Sequence, residues 1–189
     1  HGLYGNRVLV LNNYLKHGFQ NWGDDHAPEI NISSVDRISV LKGSSGVRFG
    51  PEALGGAIIV EPDPMKLSQP YYFNTNFGYQ TNGRGRNFSI DTGKGYKNLG
   101  FNVGLSHIKI GDRHAPSYSL TNSGKEEKGF NIGLHYHLNN FDIKFYYSYV
   151  DVNLALLRSS VFHSGNVISR AISSEEPLFI RPFSFDINE

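Results

Sequence analysis

The sequence predicts a small α+β unit followed by antiparallel strands of a transmembrane β-barrel. Three observations carry that reading. The composition changes across residues 61–70, where Pro62, Pro64 and Pro70 forbid a continuous helix or ladder and favour an extended connector. After it, five segments alternate apolar and polar residues with strict period two, the pattern of strands with one apolar face. Several of these approach the ~9–11 residues that a tilted strand needs to cross a bilayer, against ~5–6 in ordinary soluble sheets.

Composition bounds the alternatives. The 189 residues include 13 Phe and 11 Tyr, far too many for a solvated disordered tail. There is no Cys, which excludes a disulfide framework and a Cys-based zinc site. A net charge of +1 gives no reason to expect nucleic acid as a partner. No stretch approaches the ~20 apolar residues of a spanning helix, while a mean hydropathy of −0.37 does not exclude a membrane β-barrel, whose strands are apolar on one face only. The chain begins at His1 without a leader pattern and stops at Glu189 without a closing element, so it is expected to be an internal fragment.

In the first part, Arg7 to Leu11 is a continuous apolar run suited to a strand buried on both faces. Residues 18–31 read as loop. A helical turn is expected at Ser33-Ser34-Val35-Asp36, with Ser or Asp as cap, then a strand over Arg37 to Leu41. A Gly/Ser turn at 43–50 and a buried β-run from Gly55 to Val60 close the unit.

The second part gives strands at 71–80, 87–92, 99–106, 129–138 and 141–150. Phe101, Val103 and Leu105 oppose Asn102, Gly104 and Ser106; Ile132, Leu134 and Tyr136 oppose Gly133, His135 and His137. The expected connections are 81–86, 93–98, a long polar stretch over 111–128, and only Asn139-Asn140. Such alternation of short turns and longer loops suits an outer-membrane barrel with its short turns toward the periplasm. The Gly, Asn, Ser and His face suits a wet or plugged lumen better than a second packed core.

The run Ser34-Val35-Asp36-Arg37-Ile38-Ser39-Val40-Leu41-Lys42-Gly43, continuing to Val47-Arg48-Phe49-Gly50 and then Ala53-Leu54-Gly55-Gly56-Ala57-Ile58-Ile59-Val60, resembles the end of the plug domain of TonB-dependent outer-membrane receptors. That family has V-E-R-I-E-V-L-K-G-P-x-x-x-x-Y-G followed by A-x-G-G-x-I-N-I. Upstream, Gly5-Asn6-Arg7-Val8-Leu9-Val10-Leu11 resembles the family's G-x-R-V-x-V-L-x-D-G strand, with Asn12-Asn13 where Asp-Gly is usual. Ser44 stands where Pro is usual. The resemblance implies the C-terminal half of a plug at 1–64, a linker at 65–70, and the first barrel strands and outer loops at 71–189. It implies an incomplete fragment of a ~22-stranded barrel. Residues 156–172 resemble, more loosely, the long third outer loop.

Candidate site residues follow from both routes. In the polar loop at 20–29, Trp22 offers a flat apolar surface, while Asp24, Asp25, His26 and Glu29 could coordinate a cation or simply be solvated. By resemblance this loop is a ligand-facing apex of the plug. Arg37 and Arg48 could pair with barrel-wall carboxylates as a latch or merely be solvated; with Gly43, Gly50, Gly55 and Gly56, which allow positive φ and close turns, they form the plug motif. His26, His135 and His137 are the candidate metal ligands, with His107 and His114 on or near a neighbouring segment; hydrogen bonding to plug or water is the plainer role. Lys125-Glu126-Glu127-Lys128 reads as a solvated loop rim, and Gly83-Arg84-Gly85-Arg86 as a basic turn or a contact for lipopolysaccharide phosphate.

No nucleophile elbow, P-loop or H-E-x-x-H is present, so no enzyme is expected. The resemblance implies active uptake of a scarce ligand (an iron–siderophore, haem, a metal or similar) across the outer membrane of a Gram-negative bacterium, the plug gating the barrel. TonB with its inner-membrane energising complex, outer-membrane lipid and a small ligand or metal chelate are the implied partners. No resident cofactor is expected beyond a metal or chelate as cargo. A passive porin, or a soluble β-rich ligand-binding domain, are the alternatives.

Overall fold

A computed structural model describes residues 7–18, 30–62, 65–157 and 165–187. It divides into two compact units: His1–Tyr72 with Thr92–Val103 and Asn131–Val150, and Phe73–Asp91 with Gly104–Phe130 and Asp151–Glu189.

The first unit holds a four-stranded sheet of β1 (Val8–Asn12), β2 (Leu15–Lys16), β3 (Val35–Leu41) and β4 (Gly56–Pro62), in the order β2-β1-β4-β3. β1 and β4 run parallel from Val8↔Gly56 to Asn12↔Val60, so the chain between them makes a crossover, as parallel strands require. β1 is therefore central, and Leu9, Val10 and Leu11 are all buried, as its unbroken apolar run predicts. Leu9, Leu11, Ala53, Ala57 and Ile59 form the core, with Leu41 and Phe49 packed against it. Each large side chain buried there contributes about 1.5–3 kcal/mol.

Local details differ from the sequence reading. The turn after residue 30 is a 3-10 turn at Ile32–Ser34, and its cap is Asn31, whose side chain accepts from the Ser33 N–H at 3.1 Å. Asn31 is as good a cap as Ser and sits one turn earlier, which leaves Val35 and Asp36 free to begin β3. A further 3-10 segment covers Gly43–Phe49, as the Gly/Ser punctuation suggests. Among the described residues of this unit, helical structure is 3-10 only. The α-helix, α1 (Gly165–Ser173), belongs to the second unit, within the stretch expected to be loop.

Gly56 has φ +124°, and a Cβ there would fall on the Leu41 carbonyl oxygen. Only glycine lets β4 begin against the end of β3. Gly43 and Gly50 also have positive φ, whereas Gly55, expected to share this property, does not; its N–H instead donates to the Arg7 carbonyl at 2.6 Å.

The second sheet is formed by β5 (Tyr72–Gln80), β6 (Gly85–Tyr96), β7 (Leu99–Ile110), β10 (Lys125–Leu138) and β11 (Phe141–Leu154), in the order β11-β10-β7-β6-β5. β8 (Arg113–His114) and β9 (Ser119–Leu120) make a small ribbon within the long polar connection. All five expected strands are present, and β6, β7, β10 and β11 reach 12–14 residues. The expected connection at 93–98 shrinks to Lys97-Asn98, a second two-residue turn like Asn139-Asn140. Lys97 and Asn139 both have positive φ, as tight hairpin turns require. Gly93 and Gly95 look like breakers in sequence, yet both lie inside β6. Lys125–Lys128, expected as a loop rim, begins β10 instead; Glu127 is buried and pairs with Lys125 at 2.6 Å.

Burial across this sheet is inverted relative to a soluble protein. In the first unit, Leu99, Phe101, Leu134, Tyr136, Phe141, Ile143, Phe145, Tyr147 and Tyr149 are exposed, while Asn102, Asn131 and His135 are buried. In the second, Phe73, Phe77, Tyr79, Phe88 and Leu105 are exposed, while Ser106, Ser119, Thr121 and Glu127 are buried. Among the described residues, none forms a second layer over the aromatic face. Among the described residues no helix is long and apolar enough to cross a membrane, which says nothing of strands.

Gly56→Ala is expected to destabilise the four-stranded unit by about 1–3 kcal/mol through backbone strain and the clash with Leu41. Faster amide exchange in β1 and β4 than in the unsubstituted chain would register it; unchanged exchange would contradict the packing argument.

Candidate functional site

Three polar constellations stand out. The first is in the four-stranded sheet. Arg37 and Glu61 lie directly opposite across β3 and β4. The guanidinium donates to both Glu61 oxygens, Nε to Oε2 at 2.8 Å and Nη2 to Oε1 at 2.9 Å. Such a forked geometry is the strong form of the Arg–carboxylate pair. Tyr14 adds its hydroxyl to Glu61 Oε1 at 2.9 Å. Asn13 and Tyr14 both have positive φ in the turn between β1 and β2. That conformation costs a non-glycine residue about 1–2 kcal/mol, and the Tyr14–Glu61 bond offsets it. Hydrogen bonds from Arg37, then Tyr14, hold the Glu61 carboxyl below its usual pKa. The same carboxylate raises the Tyr14 phenol.

The second constellation lies on the polar face of β10 and β11. His135 is buried, with Nε2 2.8 Å from Asp142 Oδ1 and Nδ1 2.9 Å from the Met65 carbonyl oxygen. His137 Nδ1 reaches the same Asp142 oxygen at 3.1 Å. The carbonyl can only accept, so His135 Nδ1 donates to it. His107, on β7, faces the exposed side instead and pairs with Glu126 at 2.9 Å.

The third is in the second unit. Asp112 is fully buried and receives Arg181 Nε at 3.0 Å and Nη2 at 3.4 Å. It also accepts the backbone N–H groups of Ser123 and Ser184, each at 3.2 Å. These bonds tie the 111–124 connection to the 181–184 segment. Arg84 lies 4.1 Å from the centroid of the Phe183 ring, and Phe183 meets Phe185 edge-on at 4.9 Å.

The candidates named from sequence fare unevenly. Trp22, Asp24, Asp25, His26 and Glu29 lie outside the described residues. Arg37 is bound to Glu61 within its own sheet, and the Arg48 guanidinium stacks on the neighbouring Phe49 ring at 4.8 Å. His135 and His137 converge as the i,i+2 spacing predicts, on a carboxylate that the sequence did not single out. Among the described residues, no group of three His, Asp or Glu side chains is arranged to hold a metal ion. A cavity of about 580 Å³ in the first unit is lined by Asn12, Leu15, Lys16, His17 and Asn31 and by Tyr146–Val150 of β11. It runs along an edge strand, whose remaining backbone groups a further strand would take.

Residues 1–57 match the family model of the TonB-dependent Receptor Plug Domain. The chain carries a TonB-dependent receptor plug domain. Its fold as a whole is shared with solved receptors. The siderophore receptor PirA from Acinetobacter baumannii superposes with a TM-score of 0.61 at 12% identity, over 82% of this chain and 25% of that one. The pyoverdine outer membrane receptor FpvA from Pseudomonas aeruginosa PAO1, bound to pyoverdine, gives 0.62 at 16%, over 76% and 20%. A variant of the ferric enterobactin receptor PfeA from Pseudomonas aeruginosa, in complex with enterobactin, gives 0.56 at 15%, over 79% and 26%. At such identities the likeness is one of fold. The chain spans about a quarter of the length of these receptors. No curated protein matches it in sequence. The fold is thus a plug domain followed by antiparallel strands of the TonB-dependent barrel type.

Sequence reasoning missed Glu61, Asp142, Asp112 and Arg181. Glu61 had a visible signal, since Arg37 and Glu61 sit on strands that the plug motif places side by side. Asp142 had one too, lying three residues past the His135 hairpin end on the inward parity. Asp112 and Arg181 are 69 residues apart and carry no local signal.

Two outcomes follow for the plug and the loops. Because the folded Glu61 pKa is depressed, its contribution is present above the unfolded value and is lost as pH falls through the folded one. Glu61→Gln is therefore expected to flatten the acid limb of the unfolding profile, read by circular dichroism against pH. Asp112→Ala removes the buried acceptor of Arg181 and of the Ser123 and Ser184 N–H groups, a cost of about 1–3 kcal/mol. Amide exchange at Ser123 and Ser184 is expected to accelerate accordingly; protection equal to that of the unsubstituted chain would show that the knot is dispensable.

Proposed function

We propose that this chain is part of an outer-membrane receptor that takes up a siderophore-type ligand by TonB-dependent transport. The observation that carries the reading is the inverted sheet joined in one polypeptide to a plug domain. An aromatic face left exposed by the described residues suits acyl chains, and a polar opposite face suits an aqueous or plugged lumen. A passive porin has no use for the plug, and a soluble β-domain would bury the aromatic face.

In this reading, Phe73 through Tyr149 meet the hydrocarbon, while Asn102, Asn131 and His135 face the lumen. The plug closes that lumen. TonB and the inner-membrane complex supply the force that opens it, and the protein performs no bond chemistry. The ligand docks on the outer loops and on the apex formed by Trp22, Asp24, Asp25, His26 and Glu29. An iron chelate is the favoured cargo, with haem or a metal ion as narrower variants to which His26, His135 and His137 are suited. Arg37, Gly43, Arg48, Gly50, Gly55 and Gly56 shape the part of the plug that moves.

The full-length receptor, expressed in a Gram-negative host, is expected to import at least one of a panel of ferric siderophores, haem and Zn²⁺, and only when TonB is present. Uptake that persists without TonB would point to a porin. Leu105→Arg and Phe145→Arg, on the lipid face, are expected to cost about 2–4 kcal/mol near the bilayer midplane. Folding into liposomes, read by heat-modifiable gel migration, measures this; full tolerance of both would remove the lipid-facing assignment.

A further inference from the structure

The connector from Met65 to Gln69 is seated on the polar face of the sheet rather than strung free across it. Three glycines on three different strands form the floor. A Cβ at Gly95 of β6 would fall on the Lys66 and Leu67 carbonyl oxygens. One at Gly100 of β7 would come within 3.1 Å of the Lys66 oxygen and 3.7 Å of the Leu67 Cα. One at Gly133 of β10 would strike the Met65 Sδ and the Asn102 Oδ1. Connector backbone forbids a side chain outright at Gly95; at Gly100 the Lys66 carbonyl would have to give by a few tenths of an ångström, and at Gly133 the Met65 and Asn102 side chains would have to move aside.

Hydrogen bonds close the seat at both ends. His135 donates from Nδ1 to the Met65 carbonyl at 2.9 Å, and Asp142 holds the far side of the ring at 2.8 Å. The Gly95 N–H donates to the Gln69 carbonyl at 2.8 Å, and the Lys66 carbonyl accepts the Gln69 N–H at 3.4 Å. Beyond it, Thr92 Oγ1 donates to the Tyr72 carbonyl at 2.8 Å, fixing the first residue of β5. A Pro-flanked stretch of this kind reads as an extended connector in sequence, and its backbone is held at Met65, Gln69 and Tyr72.

We infer that Met65–Gln69 is a fixed anchor, with His135 as its positioning residue, so that displacement of the plug is taken up upstream of Met65 while the connector stays on the wall. This rests on the uptake reading above for its role in transport, and on contacts alone for its existence. An interaction that must break in every cycle gains nothing from a purpose-built glycine floor, whereas a stationary pivot does.

Two measurements on the full-length receptor test it. The first is amide exchange at Gly95 and across 65–70. His135→Leu and Gly133→Val are expected to speed exchange there about tenfold by opening the seat locally. His135→Gln, whose amide can still donate to the Met65 carbonyl, is expected to stay near the unsubstituted rate. Heat-modifiable migration reports that each barrel has folded. Equal exchange in all four proteins overturns the anchor. The second is a covalent lock, Leu67→Cys with Gly100→Cys, chosen because a Cβ at Gly100 would lie 3.7 Å from the Leu67 Cα; the oxidised and reduced forms of this one variant are compared, so any local shift caused by the new side chain is common to both. The oxidised receptor is expected to import within about twofold of the reduced one; a loss of about tenfold, reversed by reductant, means the connector must move and overturns the inference. If the unsubstituted receptor imports nothing from the panel, the uptake reading fails, while exchange still decides the anchor.

Discussion

Hydrocarbon offers no hydrogen-bond partners, so a chain that crosses it must pair every backbone group within itself and turn apolar side chains outward. The five-stranded sheet is organised as that constraint demands. Phe101, Leu105 and Leu134 are exposed, while Asn102, Ser106 and Asn131, one step away on the same strands, are buried. The same alternation in a soluble sandwich has the opposite sense of burial. Alternation alone is symmetric between the two cases; which parity is covered breaks the symmetry.

The plug obeys the ordinary rule. Its core of Leu9, Leu11, Ala57 and Ile59 is apolar and closed, and its polar contacts are cross-strand pairs at the surface. One chain thus carries two folding regimes, and the connector between them has to satisfy both. Its backbone groups are met by His135, Gly95 and a local turn, on a floor from which side chains have been removed. Polar satisfaction and steric clearance converge there.

Much of this was legible in the sequence. Each of the five long strands announced itself by period two, and the apolar run of Arg7 to Leu11 announced a strand covered on both faces. The errors cluster where a residue type has two meanings. Gly93 and Gly95 read as breakers, yet they sit in mid-strand because another segment approaches. Lys125–Lys128 read as solvated rim because four charges in a row hide an alternation in which Glu127 turns inward and Glu126 outward. Asn31 and Ser33 compete for the same cap, and only backbone geometry chooses between them.

By itself the sequence determined the two regimes, the five long strands and their parity, and the plug motif, because these depend on residues close together in the chain, whereas the short strands β2, β8 and β9 left no such signal. Tertiary structure alone decided which parity is covered, that His135 and His137 meet at Asp142, and that Asp112 finds Arg181. It also decided that the connector is held. Those outcomes depend on which distant backbone arrives opposite a given face, and side-chain periodicity carries no record of that.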